Sequence, residues 1–373
     1  PPRSTLFPYT TLFRSPVKSG SNIIEIMLLQ KNVVGTVSAT AGGSVMAEGA
    51  KITFPANGFV KNGKAYTGNV KVAANLIDPT SPTLMQEMPG SLVGAMENQA
   101  YALQSFGMIG VELTDDNGNK IDLAPDAKAT INFPLPSSIL NDAPGTIQLW
   151  SFDELSGVWK YEGNAQKVNG QYVAEVGHFS YWNYDVPFNF VQVDGVLKDS
   201  QGSILSCINV EGTSTMAFGF SLCTTNEFGQ FSMPLPNVGA ITLIAKNNYS
   251  YLCNNNPNIG LMNLGGLSSN INVDFVVPAS PNQNLIIGKL IDCNNNPVPY
   301  GYINVNGTVV YSDMNGDFNT RTCVNIGASA TIFGCNLITN QYSDLLSLII
   351  TSGTNNMGNI QVCSLIDTSG VSD

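Results

Sequence analysis

The chain has 373 residues, of which 43% are hydrophobic and only 12% charged, with 36 glycines and 20 prolines. That is too apolar for a disordered chain and too poor in Ala, Glu, Lys and Leu for a helical bundle, and the length suits two or three domains. Lys and Arg number 16 against 27 Asp and Glu, a net charge of −11 with no basic cluster, which argues against nucleic acid and anionic membrane as partners.

Residues 1–15 read PPRSTLFPYTTLFRS, with Thr-Leu-Phe occurring twice and no relation to the rest of the chain. The stretch looks like translated sequencing adapter, so 1–33 is set aside as artefact and linker. Without Arg3 and Arg14, 14 basic residues face 27 acidic ones, a balance of −13. The natural N-terminus, with any signal peptide or lipid-anchor cysteine, is expected to lie beyond this chain. No run of 18 apolar residues occurs, so no membrane-spanning helix is expected.

From residue 34 onward, short runs rich in Val, Ile, Thr, Tyr and Phe alternate with turn residues, the pattern of β-sandwiches. Strands are predicted at 33–37, 50–54, 69–73, 110–113, 130–133, 148–152 and 172–176. Asp115-Asp-Asn-Gly-Asn119 and Asn169-Gly170 are turn signals, because Asn and Gly tolerate the positive φ of tight hairpins. The stretch 82–104 carries Leu and Met at irregular helical spacing and is predicted as a short helix or a long loop. Pro187 and a shift in composition place a boundary at 186–190, closing a first domain of 34–187.

All seven cysteines lie beyond that boundary: Cys207, Cys223, Cys253, Cys293, Cys323, Cys335 and Cys363. The second half is rich in Asn, Ser, Thr and Gly, and it contains an internal repeat. Gly195-Val-Leu-Lys-Asp199 aligns with Gly288-Lys-Leu-Ile-Asp292, Ile208-Asn-Val210 with Ile303-Asn-Val305, and Asn226-Glu-Phe-Gly-Gln-Phe231 with Asp313-Met-Asn-Gly-Asp-Phe318. In each copy an Asp-led turn ends the first strand, a middle strand crosses the core, and a turn Gly delivers a buried Phe. The Pro/Asn stretch 278–284 separates copies at 190–277 and 284–365, leaving a tail at 366–373. The predicted class is all-β, a set of tandem antiparallel β-sandwiches.

The repeated residues resemble carboxypeptidase regulatory-like (transthyretin-like) modules of Bacteroidetes-type surface proteins. That resemblance implies small β-sandwiches serving as spacers or binding modules, without catalytic residues. In the first domain, Ile52-Thr-Phe-Pro-Ala56, Leu149-Trp-Ser-Phe-Asp153, Gly157-Val-Trp-Lys160 and Gly177-His-Phe-Ser-Tyr-Trp-Asn183 are similar to the β-sandwich domain of netrin receptors, ankyrins and cartilage intermediate layer protein. In related autoprocessing domains His-Phe-Ser is a cleavage site, which implies catalytic roles for His178, Phe179 and Ser180. Residues i and i+2 of a strand share a face, so the His178 imidazole can lie beside the Ser180 hydroxyl. The imidazole would take the hydroxyl proton, Ser180 would attack the Phe179 carbonyl, and water would resolve the ester. The plainer alternative is that the tripeptide completes the last strand, with Phe179 in the core and His178 bonding a loop carbonyl.

Asp115–Asn119 and Asp313-Met-Asn-Gly-Asp317 present oxygens in Gly-containing loops, as Ca²⁺ sites do, but lack a downstream bidentate Glu, and hairpins use the same residues. No C-x-x-C pair suggests zinc, and no phosphate loop or G-x-S-x-G elbow is present. Asp115-Asp116 and Asp153-Glu154 are paired acids, but in predicted turns. Trp150, Trp159, Trp182, Tyr181 and Tyr184 would either line a carbohydrate platform or pack the core; a platform predicts exposed rings, a scaffold buried ones. Cys293 and Cys363, at the two ends of the last module, are a candidate disulfide in an oxidising compartment. These readings call for no cofactor and no metal. They describe a non-catalytic structural or adhesive protein, extracellular or on the outer cell surface, whose partner is a cell-surface protein or glycan, with autoproteolysis between Phe179 and Ser180 and carbohydrate binding as the alternatives.

Overall fold

In a computed structural model, the structure is described for residues 27–246, 257–279 and 284–365. The adapter-like segment, Cys253 and the tail 366–373 lie outside the described residues. The architecture is all-β: the single α-helix among them is one turn, Leu84–Glu87.

The first unit is built on one large sheet. Its path runs from Val33–Ser38 through Asn69–Ile77, Gln99–Thr114, Tyr181–Phe188, Thr146–Asp153, Val158–Val168, Gln171–Val176, Ala129–Pro134 and Ala50–Phe54 to Gly43–Ala47. The two ends of the path meet, because Gly35 lies against Val45 and Gly43 against Val37. The sheet therefore wraps round one core, where alternate residues such as Val72, Phe106, Ile131, Tyr172, Trp182 and Tyr184 point inward. Asn169 and Gly170, both at positive φ, close the hairpin between Val158–Val168 and Gln171–Val176, as their residue types predict.

The stretch 82–104 resolves into more than a helix or a loop. After the single helical turn comes a strand, Val93–Met96, which turns at Glu97 and Asn98 (φ 50 and 65) and pairs with the start of Gln99–Thr114. Its apolar residues have irregular spacing because they cover the outer face of the sheet rather than a helix stripe. Leu84, Met85 and Met88 pack there on Trp150, Phe152, Trp159 and Tyr181. Gln99–Thr114 is thus buried on both faces, continuously from 102 to 111, so its residues show no alternation of apolar and polar.

Two smaller sandwiches complete the chain. In the middle one, the sheet Gln230–Pro236, Phe190–Asp199, Ile271–Val277 faces the sheet Ala217–Thr224, Asn209–Ser214, Ile241–Lys246, Asn258–Gly265, round Val193, Leu197, Phe231, Leu243 and Phe275. In the last, Asp317–Thr322, Asn284–Asp292 and Thr354–Val362 face a six-stranded sheet centred on Ser329–Asn336, round Ile286, Leu290, Ile303, Phe318 and Ile360. The residues aligned in the sequence repeat occupy the same places. A Cβ on Gly195 would lie 2.4 Å from the Phe231 ring, and one on Gly288 2.7 Å from Phe318. Each glycine is the seat of the phenylalanine that its turn delivers.

The strand pairing departs from the expected pattern in one respect. It is antiparallel almost throughout, yet Phe190–Asp199 runs parallel to Ile271–Val277, and Asn284–Asp292 parallel to Thr354–Val362. The chain crosses to the second sheet of the sandwich and back between these strands, so a long connection replaces the hairpin that antiparallel neighbours use. Val93–Met96 also pairs parallel with Val158–Val168.

Candidate functional site

His178, Phe179 and Ser180 precede the strand Tyr181–Phe188 instead of forming part of it. Without the strand, the shared-face argument for residues i and i+2 does not apply. The His178 Nε2 is 2.9 Å from Glu162 Oε1, and the same oxygen accepts a hydrogen bond from the Ser151 hydroxyl at 2.5 Å. Hydrogen bonds from His178 first, then from Ser151, hold the Glu162 carboxyl below the usual carboxylate range. The imidazole also lies against the Trp182 ring, with centroids 4.9 Å apart, and the Trp182 Nε1–H donates to the His178 carbonyl at 3.2 Å. The Ser180 hydroxyl donates to the Tyr181 carbonyl, and Phe179 packs on Phe54 at the edge of the core. The structure thus brings together His178, Glu162, Ser151 and Trp182, where the sequence pointed to His178 and Ser180. Glu162 lies on a separate strand, and no local spacing announced it.

The Asp-Asn-Gly loops have a common internal use. In Asp115–Asn119 the Asp115 Oδ1 accepts the N–H groups of Asn117 and Asn119, at 2.9 and 2.8 Å. The same two bonds, from residues i+2 and i+4, converge on Asp199, Asn226, Asp292 and Asp313. The fourth residue of each turn sits at positive φ: Gly118, Gly202, Gly229, Asn295 and Gly316. The oxygens that suggested a cation instead brace backbone amides. Asp115 is further tied to Lys61 at 2.5 Å; that bond and those from Asn119 hold its carboxyl far below the ordinary range. Asp153 is held at about 2, first by Lys160 and then by Ser156. Neither acid pair faces another across a cleft: Asp115-Asp116 sits in a braced turn and Asp153-Glu154 at a strand end.

Trp150, Trp159, Trp182, Tyr181 and Tyr184 are all at most 2% exposed. They form core on the two faces of the sheet, and burial raises the phenols of Tyr181 and Tyr184 well above their usual range. These rings offer no platform to a sugar. Cys293 and Cys363 form a disulfide, Cα atoms 5.3 Å apart, at the ends of two parallel strands. Cys323 is also disulfide-bonded. Burial lifts the Cys207 thiol to about 12, and that thiol hydrogen-bonds to Tyr311 of the last module. Among the described residues no cluster of three or more His, Cys, Asp or Glu is placed to hold a metal, and no helix is long and apolar enough to cross a membrane.

No family model matches the chain. Human cartilage intermediate layer protein 1 is similar at 25% identity over 231 residues, covering 52% of this chain and 19% of that protein. The chain thus spans about a fifth of the length of that relative. Among solved structures, the shaft pilin SpaA of Lactobacillus rhamnosus GG is 10% identical with a TM-score of 0.24, covering 47% of this chain and 98% of the pilin. A streptococcal ancillary pilin is 13% identical with a TM-score of 0.21, covering 61% and 95%. The Bacillus anthracis TIE protein is 11% identical with a TM-score of 0.22, covering 79% and 58%. Superpositions this loose carry no argument about this chain.

Proposed function

We propose that the chain is a non-catalytic structural or adhesive segment of a secreted or cell-surface protein, in which one larger β-sandwich at 34–187 precedes two smaller ones at 190–277 and 284–365. The observation that carries the reading is the commitment of its reactive groups to structure. The turn carboxylates brace amides, the large aromatics are core, and the histidine is held by Glu162 and Trp182. The similarity to cartilage intermediate layer protein 1 supports the reading as a β-sandwich surface protein. The smaller sandwiches are read as carboxypeptidase regulatory-like modules of a Bacteroidetes-type surface protein, supported by the Gly–Phe seats and braced turns they share. The Cys293–Cys363 bridge supports an oxidising, extracellular setting.

Intact mass with and without reductant tests the non-catalytic part. The expected result is one full-length species that gains only the hydrogens of its reduced bridges. Two fragments meeting at Phe179–Ser180 would establish self-cleavage and overturn it. Beads coated with the full chain, passed over cells and extracellular matrix, test the adhesive part: retention is expected, and a chain that neither adheres nor labels on intact cells that express it is not a surface adhesin.

A further inference from the structure

The middle and last modules enclose a cleft of about 750 Å³, within the range of ligand sites. One wall is the outer face of the sheet Asp317–Thr322, Asn284–Asp292, Thr354–Val362. Because Ile286, Leu290, Phe318 and Ile360 point into the core, the intervening positions Ile287, Lys289 and Asn319 face outward, with Asn356 and Asn359 beside them. The other wall is made by two turns of the middle module, which contribute Ile204 and Phe228.

The walls are fixed to each other. The Cys207 thiol hydrogen-bonds to Tyr311, Arg321 Nη2 donates to Gln201 Oε1 at 3.1 Å, and Phe228 meets the Tyr300 ring edge-on with centroids 6.3 Å apart. Cys207 and Tyr300, one from each module, both have left-handed backbones, φ 58 and 53, a conformation that bulky side chains adopt only when their surroundings impose it. Around Tyr300 the imposition is visible: its N–H donates to the Ser312 carbonyl, while the Ser312 hydroxyl accepts from the Gly301 N–H and donates to the Val298 carbonyl. The ring is held in the cleft by a satisfied network. Phe228, by contrast, is 42% exposed, an apolar ring left open to solvent.

We propose that this cleft binds a neutral, polyhydroxylated chain, an oligosaccharide segment. Phe228 and Tyr300 offer apolar ring surface for the C–H face of a sugar, and the amides of Asn319 and Asn359, together with the Nδ2 donor of Asn356, whose Oδ1 accepts the Gly358 N–H, match vicinal hydroxyls. The one lysine of the lining, Lys289, is paired with Asp317 at 3.6 Å, and Glu227 and Asp313 add further negative charge, which repels an anionic ligand. The proposal deepens the adhesive reading above and rests on it, adding a site and a ligand class.

The test uses the full chain and calorimetric titration with neutral hexasaccharides (β-glucan, xylan, mannan and α-glucan), with hexagalacturonate as the anionic probe and hexalysine as the cationic one. Binding of at least one neutral probe is expected, about tenfold weaker in Phe228→Ala and in Asn356→Ala and unchanged in Leu155→Ala, which lies on the first unit. No neutral binding at roughly 1 mM probe, or binding that ignores the two cleft variants, overturns the proposal. Preference for either charged probe overturns the ligand class. If coated beads adhere equally with wild type and Phe228→Ala, the cleft fails while the adhesive reading stands; if wild-type beads do not adhere at all, that reading fails first.

Discussion

Asp185 shows how far a single side chain can depart from its ordinary chemistry in this fold. It is fully buried in Tyr181–Phe188, and burial pushes its carboxyl well above the carboxylate range. The Ser105 hydroxyl opposes this only in part, since it donates to Asn183 Oδ1 at 2.7 Å. An unfolded Asp ionises near pH 4, so between that value and its raised folded value the native state holds the extra proton. Stability is greatest below about pH 4 on this account and declines as pH rises. Asp185→Asn is therefore expected to stabilise the first unit at pH 7 by about 1–3 kcal/mol and to flatten its pH dependence. Urea melts followed by tryptophan fluorescence check this cleanly, because Trp150, Trp159 and Trp182 all lie in that unit. At Gly195 the issue is space: Gly195→Ala drives a methyl into Phe231 and should cost the middle module roughly 1–3 kcal/mol, seen as a lowered calorimetric transition.

Among elements, the braced turns separate what the sequence could tell from what it could not. Strands such as Ala50–Phe54 and Gln171–Val176 were legible because one face is buried, which writes burial into every second residue. Gln99–Thr114 was legible only at 110–113, and the segment before it was not, because both faces of that strand are covered and the alternation disappears. Asp115–Asn119, Asp313–Asp317 and the Asp-led turns after Asp199 and Asp292 were all legible as turns; that they form one class was not, because the letters differ and the geometry demands only an acceptor at the first position and a residue tolerant of positive φ at the fourth. Asp313→Ala is expected to lower the melting transition of the last module by about 1 kcal/mol, Asp313→Asn to lose much less because it keeps the acceptor, and added Ca²⁺ to change neither.

At the scale of the whole molecule, the groupings that the fold assembles are the part that sequence leaves mute. The His178 cluster needs Glu162 from another strand, and the inter-module cleft draws on segments about a hundred residues apart in two modules, so no window of sequence contains either. Acid response is also a sum over distant groups. Asp115 and Asp153 are depressed by Lys61 and Lys160, so the stability they contribute is present above about pH 4 and lost as pH falls toward 2. With Asp185 acting in the opposite sense, fluorescence melts of the first unit should show greatest stability at about pH 4, falling toward both lower and higher pH. The parallel terminal strands have a mechanical consequence. Pulling on the ends of either small sandwich loads Phe190–Asp199 against Ile271–Val277, or Asn284–Asp292 against Thr354–Val362, in shear, so their hydrogen bonds must rupture together instead of unzipping singly. In the last module the disulfide lies just past both sheared strands, and tension passes across it from Cys293 to Cys363, bypassing everything between. Oxidised, that module is a nearly inextensible link; reduced, it can release the span between the two cysteines, 70 residue steps long, about 24 nm of slack.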